Sequence, residues 1–327
     1  MDQNSRPWKI LIASVCACFC GVGVFGMVKH YNPLARYPYG TEEEREVLKT
    51  KLSPKEIDSL INSQLQPQTI LPFLDNPDFD ISNTLYYWTA LKTRTASADS
   101  IVVFVNEFRD RLNYQSLENW LRWYTYQDLT SFFRTGSNAQ LAENPADPML
   151  ILNQDQTVYS YRPEGMVEDD GMILRTEAMD AWKQLEQAAA QAGFIISARN
   201  GYVSFDEAKT NPAVPGFDYP DQQLGSSVML DAGTQWDLIC QSVADQDKNV
   251  NYEKAADLLT DYQQMMSLWL KDNAWKYGFI LRYPEDKDEG TNQIGQPYVG
   301  RDVGTEAAKD MYENGWCLEE YVKQQHN

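Results

Sequence analysis

From residue 273 to 322 the chain reads NAWKYGFILRYPEDKDEGTNQIGQPYVGRDVGTEAAKDMYENGWCLEEYV. Side chains from Phe279 to Tyr283 alternate between two faces, which predicts a β-strand. Pro284 ends this strand because proline has no N–H group to donate to a neighbouring strand. A helix is predicted to begin at Thr305 and to end at Gly315, a residue typical of helix C-caps. The stretch therefore predicts a strand, a loop and a helix packed in sequence.

The same stretch resembles the end of the D-alanyl-D-alanine carboxypeptidases of the vancomycin-resistance type. These are zinc peptidases with a hedgehog-like fold, and they share a YGFILRYP-like strand, a Glu-Pro-Trp-His segment, an Arg-Tyr-Val-Gly turn and a helix ending in Leu-Glu-Glu-Tyr. Here the strand is 277–284, the turn is 301–304 and the ending is 318–321. The segment between strand and turn reads Gln-Pro-Tyr-Val at 296–299. The scaffold residues are kept, whereas the reactive residues differ.

The resemblance covers about half of the chain, roughly residues 149–322. Its opening is matched by Met-Leu-Ile-Leu-Asn at 149–153 and by Tyr-Arg-Pro at 161–163. It implies an α+β domain over residues 149–327, with a small antiparallel sheet flanked by helices. The Asn-, Ala- and Pro-containing stretch 136–148 is the best internal boundary before that domain.

Residues 41–145 are predicted to form a mostly helical, membrane-proximal region. Thr41 and Ser53 are each followed three residues later by glutamate, a pattern typical of capping boxes at helix N-termini. An aromatic cluster between Trp120 and Tyr126 could stack on sugars or dock a partner. Such clusters more often form core or domain-contact surface, which is our interpretation here.

The N-terminal part is predicted to anchor the chain in a membrane. Residues 10–28 carry no charge and are long enough to span a bilayer as a helix. A short cytoplasmic tail, 1–9, precedes this segment and a spacer, 29–40, follows it. A cleaved signal peptide is the alternative, because Val-Cys-Ala-Cys at 15–18 resembles a lipoprotein cleavage box. The apolar run continues to Val28, which favours an uncleaved anchor with the C-terminal domain outside the cell.

The composition of the chain excludes some functions. Its 327 residues are 43% hydrophobic, which suits a folded protein of one or two domains, and the net charge is −19. Nucleic-acid binding requires clustered Lys and Arg, so this acidity argues against it. The acidity is more simply explained by solubility.

Histidine is rare, and this restricts hydrolytic chemistry. The two histidines are His30, beside the apolar N-terminal run, and His326, one residue from the end. A His-based site needs its histidine inside the fold, as a general base or a zinc ligand. Neither position meets that requirement.

The five cysteines fall into two groups. Three lie in the apolar run, whereas Cys240 and Cys317 lie in the predicted folded part. These two could form a disulfide or remain as buried free thiols.

The first active-site segment of the resembled family is Ser-Gly-Tyr-Arg-Ser, whose Arg binds substrate. Here residues 200–204 read Asn-Gly-Tyr-Val-Ser. Val203 cannot form the charge-assisted bonds of an arginine. Arg199 would point to the face of Val203 only if the strand pairing stays regular, so we do not expect it to replace the missing arginine. Tyr202 and Ser204 are kept and are predicted to line a ligand cleft.

The second segment is Ser-x-His-x-x-Gly-x-Ala-x-Asp, whose His and Asp bind zinc in the family. Aligning on the aspartate keeps Asp231 and places Leu224 at the His position. Aligning on Gly225 places Gln222 there instead. The histidine is lost in both alignments. Asp231 is the retained metal candidate, although a turn or capping role is the simpler interpretation.

In the third segment the general base becomes Gln296 and the second zinc-binding histidine becomes Val299. An amide has no basic lone pair and valine cannot bind a metal. Tyr298 and Arg301 are predicted to line the cleft. One of three zinc ligands survives, too few for zinc, so we expect neither zinc nor another cofactor.

These observations lead to one functional hypothesis and two alternatives. The leading hypothesis is a membrane-anchored, non-catalytic relative that binds the cell wall or a partner protein. The first alternative is an active peptidoglycan hydrolase with a relocated metal site built on Asp231. The second is a structural part of an envelope assembly that docks through the helical region. The partners are then the membrane and a protein or wall peptide, without nucleic acid.

Overall fold

The computed structural model describes most of the chain and divides it into two compact units. The first unit ends at Glu118 and the second begins at Asn119. The described residues are 32–210, 221–230, 254, 257–258, 261–291 and 295–325. The division between these compact units comes earlier in the chain than the domain boundary predicted at 145–149. The predicted boundary marks the start of the family resemblance, and it stays a prediction.

The predicted membrane segment, 10–28, lies outside the described residues, as do the tail before it and the start of the spacer. Among the helices that the structure describes, none combines the length and the apolarity needed to cross a membrane.

The first unit is built from short helices that bury apolar side chains. The helices are α1 (Glu42–Lys51), α2 (Pro54–Asn62), α3 (Pro67–Ile70), α4 (Thr84–Thr93) and α5 (Ala98–Phe108), and α6 (Tyr114–Trp123) leads into the second unit. Both predicted capping boxes are confirmed, since Thr41 caps α1 through Glu44 and Ser53 caps α2 through Glu56. Each box satisfies N–H groups that have no partner within the helix.

The second unit mixes helices with small sheets, which confirms the α+β class. Its helices are α7 (Tyr126–Arg134), α8 (Thr176–Gln191), α9 (Phe205–Thr210), α10 (Asp261–Asn273), α11 (Asp288–Thr291), α12 (Thr305–Asn314) and α13 (Leu318–Gln325). Its strands are β1 (Gln140–Leu141), β2 (Gln156–Thr157), β3 (Met166–Asp169), β4 (Met172–Arg175), β5 (Ala198–Asn200), β6 (Ser227–Leu230), β7 (Phe279–Tyr283) and β8 (Gln296–Asp302).

The largest described sheet has the strand order β5-β6-β8-β7, and every neighbouring pair is antiparallel. Two smaller sheets, β1-β2 and β3-β4, have two strands each. Asn200 lies opposite Met229, and Met229 lies opposite Val299, so these three residues form a row across three strands. Cross-strand partners share a face of the sheet.

Helix α8 packs on the other face of this sheet. Its buried residues include Ala178, Trp182, Leu185 and Ala189, as the apolar spacing predicted. They form one core with residues of the sheet, among them Val228, Leu230, Phe279 and Tyr298. The two faces therefore differ: one faces the helical core and the other carries the row of Asn200, Met229 and Val299.

The stretch that opened the sequence analysis folds as predicted. Strand β7 covers the predicted strand, and α12 ends at Gly315, which adopts a left-handed C-cap conformation with φ of 66°. Between β7 and β8, residues 292–294 lie outside the described part.

Candidate functional site

The predicted active-site segments converge on one face of the four-stranded sheet. Strands β5, β6 and β8 supply the row of Asn200, Met229 and Val299. A 3₁₀ turn, Asp221–Leu224, precedes β6 and is buried throughout. This turn carries both residues that alignment offered at the first histidine position.

A buried aspartate organises this face. Asp221 Oδ1 accepts hydrogen bonds from Arg301 Nη1 at 2.8 Å and from Arg282 Nε at 3.2 Å, and the hydroxyl of Ser227 donates to its Oδ2. Burial raises the pKa of Asp221, but the Arg301 and Arg282 guanidinium groups and the Ser227 hydroxyl hold that pKa below its usual value. Asp221 is therefore a charged carboxylate in the interior.

Arg282 connects this aspartate to the C-terminal helix. Its Nη1 and Nη2 donate to the two carboxylate oxygens of Glu319 at 3.1 and 2.8 Å. Its guanidinium also lies 4.5 Å from the centre of the Tyr283 ring. Beside this pair, Lys287 Nζ lies 2.8 Å from Glu320 on the same helix, α13. The face thus holds two arginines balanced by two carboxylates.

Arg301 was predicted to line a ligand cleft, and its position does not support that role. Its side chain is 0% exposed. Besides Asp221, Nη1 donates to the Leu150 carbonyl and Nη2 to the Pro148 carbonyl, each at 2.7 Å. Arg301 therefore ties β8 to the segment that opens the resemblance, and its guanidinium faces protein rather than a ligand.

The predicted position of the second zinc-binding histidine lies in an apolar cluster. Val299 is buried against Met229 and Tyr283. Leu224, one of the two residues at the first histidine position, is buried as well. These aliphatic side chains offer no lone pair to a metal ion.

Amides stand at the remaining reactive positions. Gln222 and Gln296 are only 3% and 5% exposed. The Oε1 atom of each has no hydrogen-bond partner among the described residues. An amide oxygen is a weak ligand, and zinc prefers Cys, His and carboxylate groups. Donors of this kind do not fit the zinc ion of the resembled family.

The backbone of the first active-site segment contacts strand β4. The N–H group of Tyr202 donates to the Ile173 carbonyl at 2.7 Å. A Cβ at Gly201 would lie 2.4 Å from the same carbonyl oxygen, so only glycine allows this approach. The Tyr202 phenol is half-buried, which raises its pKa. Val203, in the arginine position, is also half-buried.

Ser204 has a structural partner. Its hydroxyl donates to Glu207 at 2.6 Å, and its backbone N–H donates to the same carboxylate at 2.9 Å. The N–H of Glu207 donates back to the Ser204 hydroxyl at 3.3 Å, which forms a capping box at the start of α9. The cleft role predicted for Ser204 thus competes with a capping role.

Tyr298 lies on the opposite face of the sheet from Val299. Its ring belongs to the core formed with α8, and burial raises its pKa to about 12. It therefore does not line the predicted cleft. Tyr298 and Val299 are consecutive in β8, and consecutive side chains of a strand point to opposite faces of the sheet.

Several predicted residues lie outside the described part of the chain, among them Asp231, Cys240 and both histidines. Cys317 is a buried free thiol whose pKa is raised by burial to about 11. Within the described ranges, no three His, Cys, Asp or Glu side chains lie close enough to hold a metal ion.

Asp221 is the site residue that the sequence reasoning missed. The motif directed attention to Asp231, ten positions further along. A usable signal was present, because Arg282 interrupts an otherwise apolar strand and a buried arginine requires a carboxylate.

No protein-family model matches the chain. The chain is 47% identical over 211 residues to a D-alanyl-D-alanine carboxypeptidase of Enterococcus faecalis, a match covering 58% of the chain and 76% of the relative. It is 38% identical over 191 residues to VanXYC of Enterococcus gallinarum, a bifunctional D-Ala-D-Ala dipeptidase and carboxypeptidase, covering 56% and 89%.

Among solved structures, the LdcB LD-carboxypeptidase, described for its peptidoglycan recognition, is 25% identical with a TM-score of 0.43. That match covers 57% of this chain and 90% of LdcB.

Proposed function

Because the chain belongs to the D-alanyl-D-alanine carboxypeptidase family, we propose that it is a member without zinc or hydrolytic activity that serves as a binding module. The observation that carries this proposal is the environment of Val299, which is buried against Met229 and Tyr283 where the family resemblance implies a zinc-binding histidine. A zinc ion placed there would lose its hydration without gaining the imidazole, thiolate or carboxylate ligands that it prefers.

The loss of the general base supports the same proposal. Hydrolysis by this family requires a group that takes a proton from water, and the resemblance places it at Gln296. A glutamine amide cannot accept that proton near neutral pH. Its burial further limits its contact with solvent.

The charges at the predicted ligand cleft indicate that its ligand is no longer a free peptide carboxylate. Val203 supplies no cation, and the guanidinium of Arg301 is already bound to Asp221. A peptide carboxylate entering here would lose water without gaining a charged partner at either of these two positions, a cost of roughly 2–5 kcal/mol. A neutral segment of a partner protein or a cross-linked wall peptide is more compatible with such a lining.

Two parts of the proposal concern the cell. The apolar segment 10–28 anchors the chain in the cell membrane, and the second unit lies outside, near the wall. Protease treatment of intact cells should release a fragment containing the second unit. A mature N-terminus at Cys18 carrying lipid, or a fragment protected from protease, would contradict this arrangement.

The decisive test is metal content together with hydrolysis. The purified full-length chain should carry no stoichiometric zinc by elemental analysis and should release no D-alanine from a pentapeptide ending in D-Ala-D-Ala. The Enterococcus faecalis relative serves as the positive control for hydrolysis. Near-equimolar zinc that disappears in Asp231→Ala, together with D-alanine release, would establish a relocated metal site and overturn the proposal.

The ligand preference has a separate test. Calorimetric titration of the full-length chain with the same pentapeptide should show no binding in the micromolar range. Micromolar binding abolished by Tyr202→Ala would instead make this domain a sensor of free peptide termini.

A further inference from the structure

The second unit contains a groove whose lining does not include Asn200, Met229 or Val299. It is a groove of about 250 Å³ between the end of α10, the turn that follows it, strand β7 and helix α12. None of the described residues predicted for catalysis or zinc binding lines it. Its walls include four aromatic residues, Trp275, Phe279, Tyr312 and Trp316. We call it the aromatic groove.

The aromatic wall is held in a fixed geometry. The rings of Trp275 and Tyr312 stack with their centres 5.0 Å apart and an angle of 18° between their planes. Trp275 Nε1 donates to the Asp272 carbonyl at 3.0 Å, which orients the indole. Tyr312 is 44% exposed, so much of its ring faces solvent. A fixed, exposed ring can bind a flat apolar surface with little loss of side-chain entropy.

The charges at the groove favour a neutral ligand. Its lining contains Lys271 and Lys287 together with Asp286, and Lys287 is already paired with Glu320 at 2.8 Å. With Lys287 paired and the charge of Asp286 opposite to that of Lys271, the lining offers a ligand no net charge, which favours neither a cation nor an anion. A polyanion is disfavoured by the protein's net charge of −19.

We propose that the aromatic groove binds a neutral saccharide. The C–H face of a pyranose ring is flat and apolar, and it stacks on an exposed aromatic ring such as Tyr312. The ring hydroxyls project sideways, where the ammonium of Lys271 can donate hydrogen bonds and the carboxylate of Asp286 can accept them. Lys271 and Asp286 are both exposed, so they can exchange water for the hydroxyls of a bound sugar, which a purely apolar side chain of a protein partner does not offer.

This inference goes beyond the proposed function and is independent of it, since the aromatic groove and the predicted ligand cleft are lined by different residues. The groove would give the protein contact with a glycan whether or not the cleft is catalytic.

The test is a titration of the full-length chain with two neutral trisaccharides, chitotriose and cellotriose. Tryptophan fluorescence monitors binding. We expect saturable binding with a Kd of about 1 mM or tighter for at least one of them. The variant Tyr312→Ala should weaken this binding about tenfold or more. The matched control is Tyr114→Ala, because Tyr114 is also 44% exposed and its ring also contacts another aromatic ring, that of Tyr86. It should bind as the wild type does.

Circular dichroism and thermal unfolding establish that both variants are folded. The proposal fails if neither trisaccharide binds, or if Tyr312→Ala binds as tightly as Tyr114→Ala. It also fails if a neutral aromatic peptide displaces the saccharide at lower concentration, which would assign the groove to a protein partner.

Discussion

Oδ1 of Asp221 lies 2.8 Å from Nη1 of Arg301, and both side chains are fully buried. A buried charge is stable only when its partners and hydrogen bonds are complete. Here the 3₁₀ turn, strands β7 and β8 and the C-terminal helix α13 are joined by four charged groups, Asp221, Arg282, Arg301 and Glu319. The arrangement is a condition for the fold of the second unit rather than a binding site.

Removing the negative charge of Asp221 should destabilise the second unit strongly. Asp221→Asn keeps the shape of the side chain but leaves Arg301 without a charged partner in the interior. We expect the free energy of unfolding to fall by about 3–5 kcal/mol. Urea denaturation followed by tryptophan fluorescence measures this change.

The control is the exposed pair of Lys309 and Glu313 on α12, whose charged atoms lie 3.7 Å apart. Glu313→Gln should change the free energy of unfolding by less than about 0.5 kcal/mol, because water screens such pairs. Equal effects of the two substitutions would show that the buried network does not stabilise the fold.

The same aspartate predicts a dependence of stability on pH. Its pKa in the folded state is lowered: burial raises it, but Arg301, Arg282 and Ser227 outweigh burial. Its stabilising effect is therefore complete above the unfolded pKa of about 3.9 and disappears as the pH falls through the lower, folded value. Between pH 5 and pH 3 the wild type should lose more stability than Asp221→Asn. Parallel curves for the two proteins would contradict this prediction.

Ser204→Ala should loosen helix α9. The substitution removes the hydroxyl that accepts from the Glu207 N–H group. Loss of such a cap costs about 1 kcal/mol, so amide exchange in α9 should accelerate roughly fivefold. Ser53→Ala, in the same type of box on α2, is the matched comparison and should accelerate exchange there similarly. Unchanged amide exchange in α9 would show that Ser204 does not stabilise the helix and would favour its predicted role in the ligand cleft.

Gly201→Ala should destabilise the second unit by about 1–3 kcal/mol. The new Cβ would lie 2.4 Å from the Ile173 carbonyl oxygen and 2.8 Å from Leu174 Cδ2. The backbone cannot move away without stretching the hydrogen bond from Tyr202 to Ile173. Gly290→Ala is the control, since its nearest neighbour would be Cys317 Sγ at 3.6 Å, an ordinary contact. Thermal unfolding compares the two variants. Equal melting temperatures would contradict the prediction, because the backbone around residue 201 would then accommodate the added Cβ.

Local patterns predicted the elements of this fold well. The spacing along α8, the alternation along β7 and the capping residues Thr41 and Ser53 each depend on neighbours in sequence. Such short-range rules apply wherever a segment lies in the fold.

The site was harder to predict because its roles depend on contacts between distant segments. Arg301 and Tyr298 belong to a motif, but a motif does not say which face of β8 meets the core. Asp221 gains its role only when β7 and β8 bring two arginines to it. The choice between Leu224 and Gln222 also could not be made from one sequence, and in the structure both lie in the same buried turn.

The bonds from Arg301 to Pro148 and Leu150 join positions 153 and 151 residues apart in the chain. During synthesis, the segment that opens the second unit leaves the ribosome long before its partner strand exists. Contacts of such separation form late, because a long loop must close first. Until β8 has been made, the residues that later bury Arg301 remain available to chaperones and proteases. A chain stopped before residue 301 should therefore be degraded rather than accumulate as a partly folded unit.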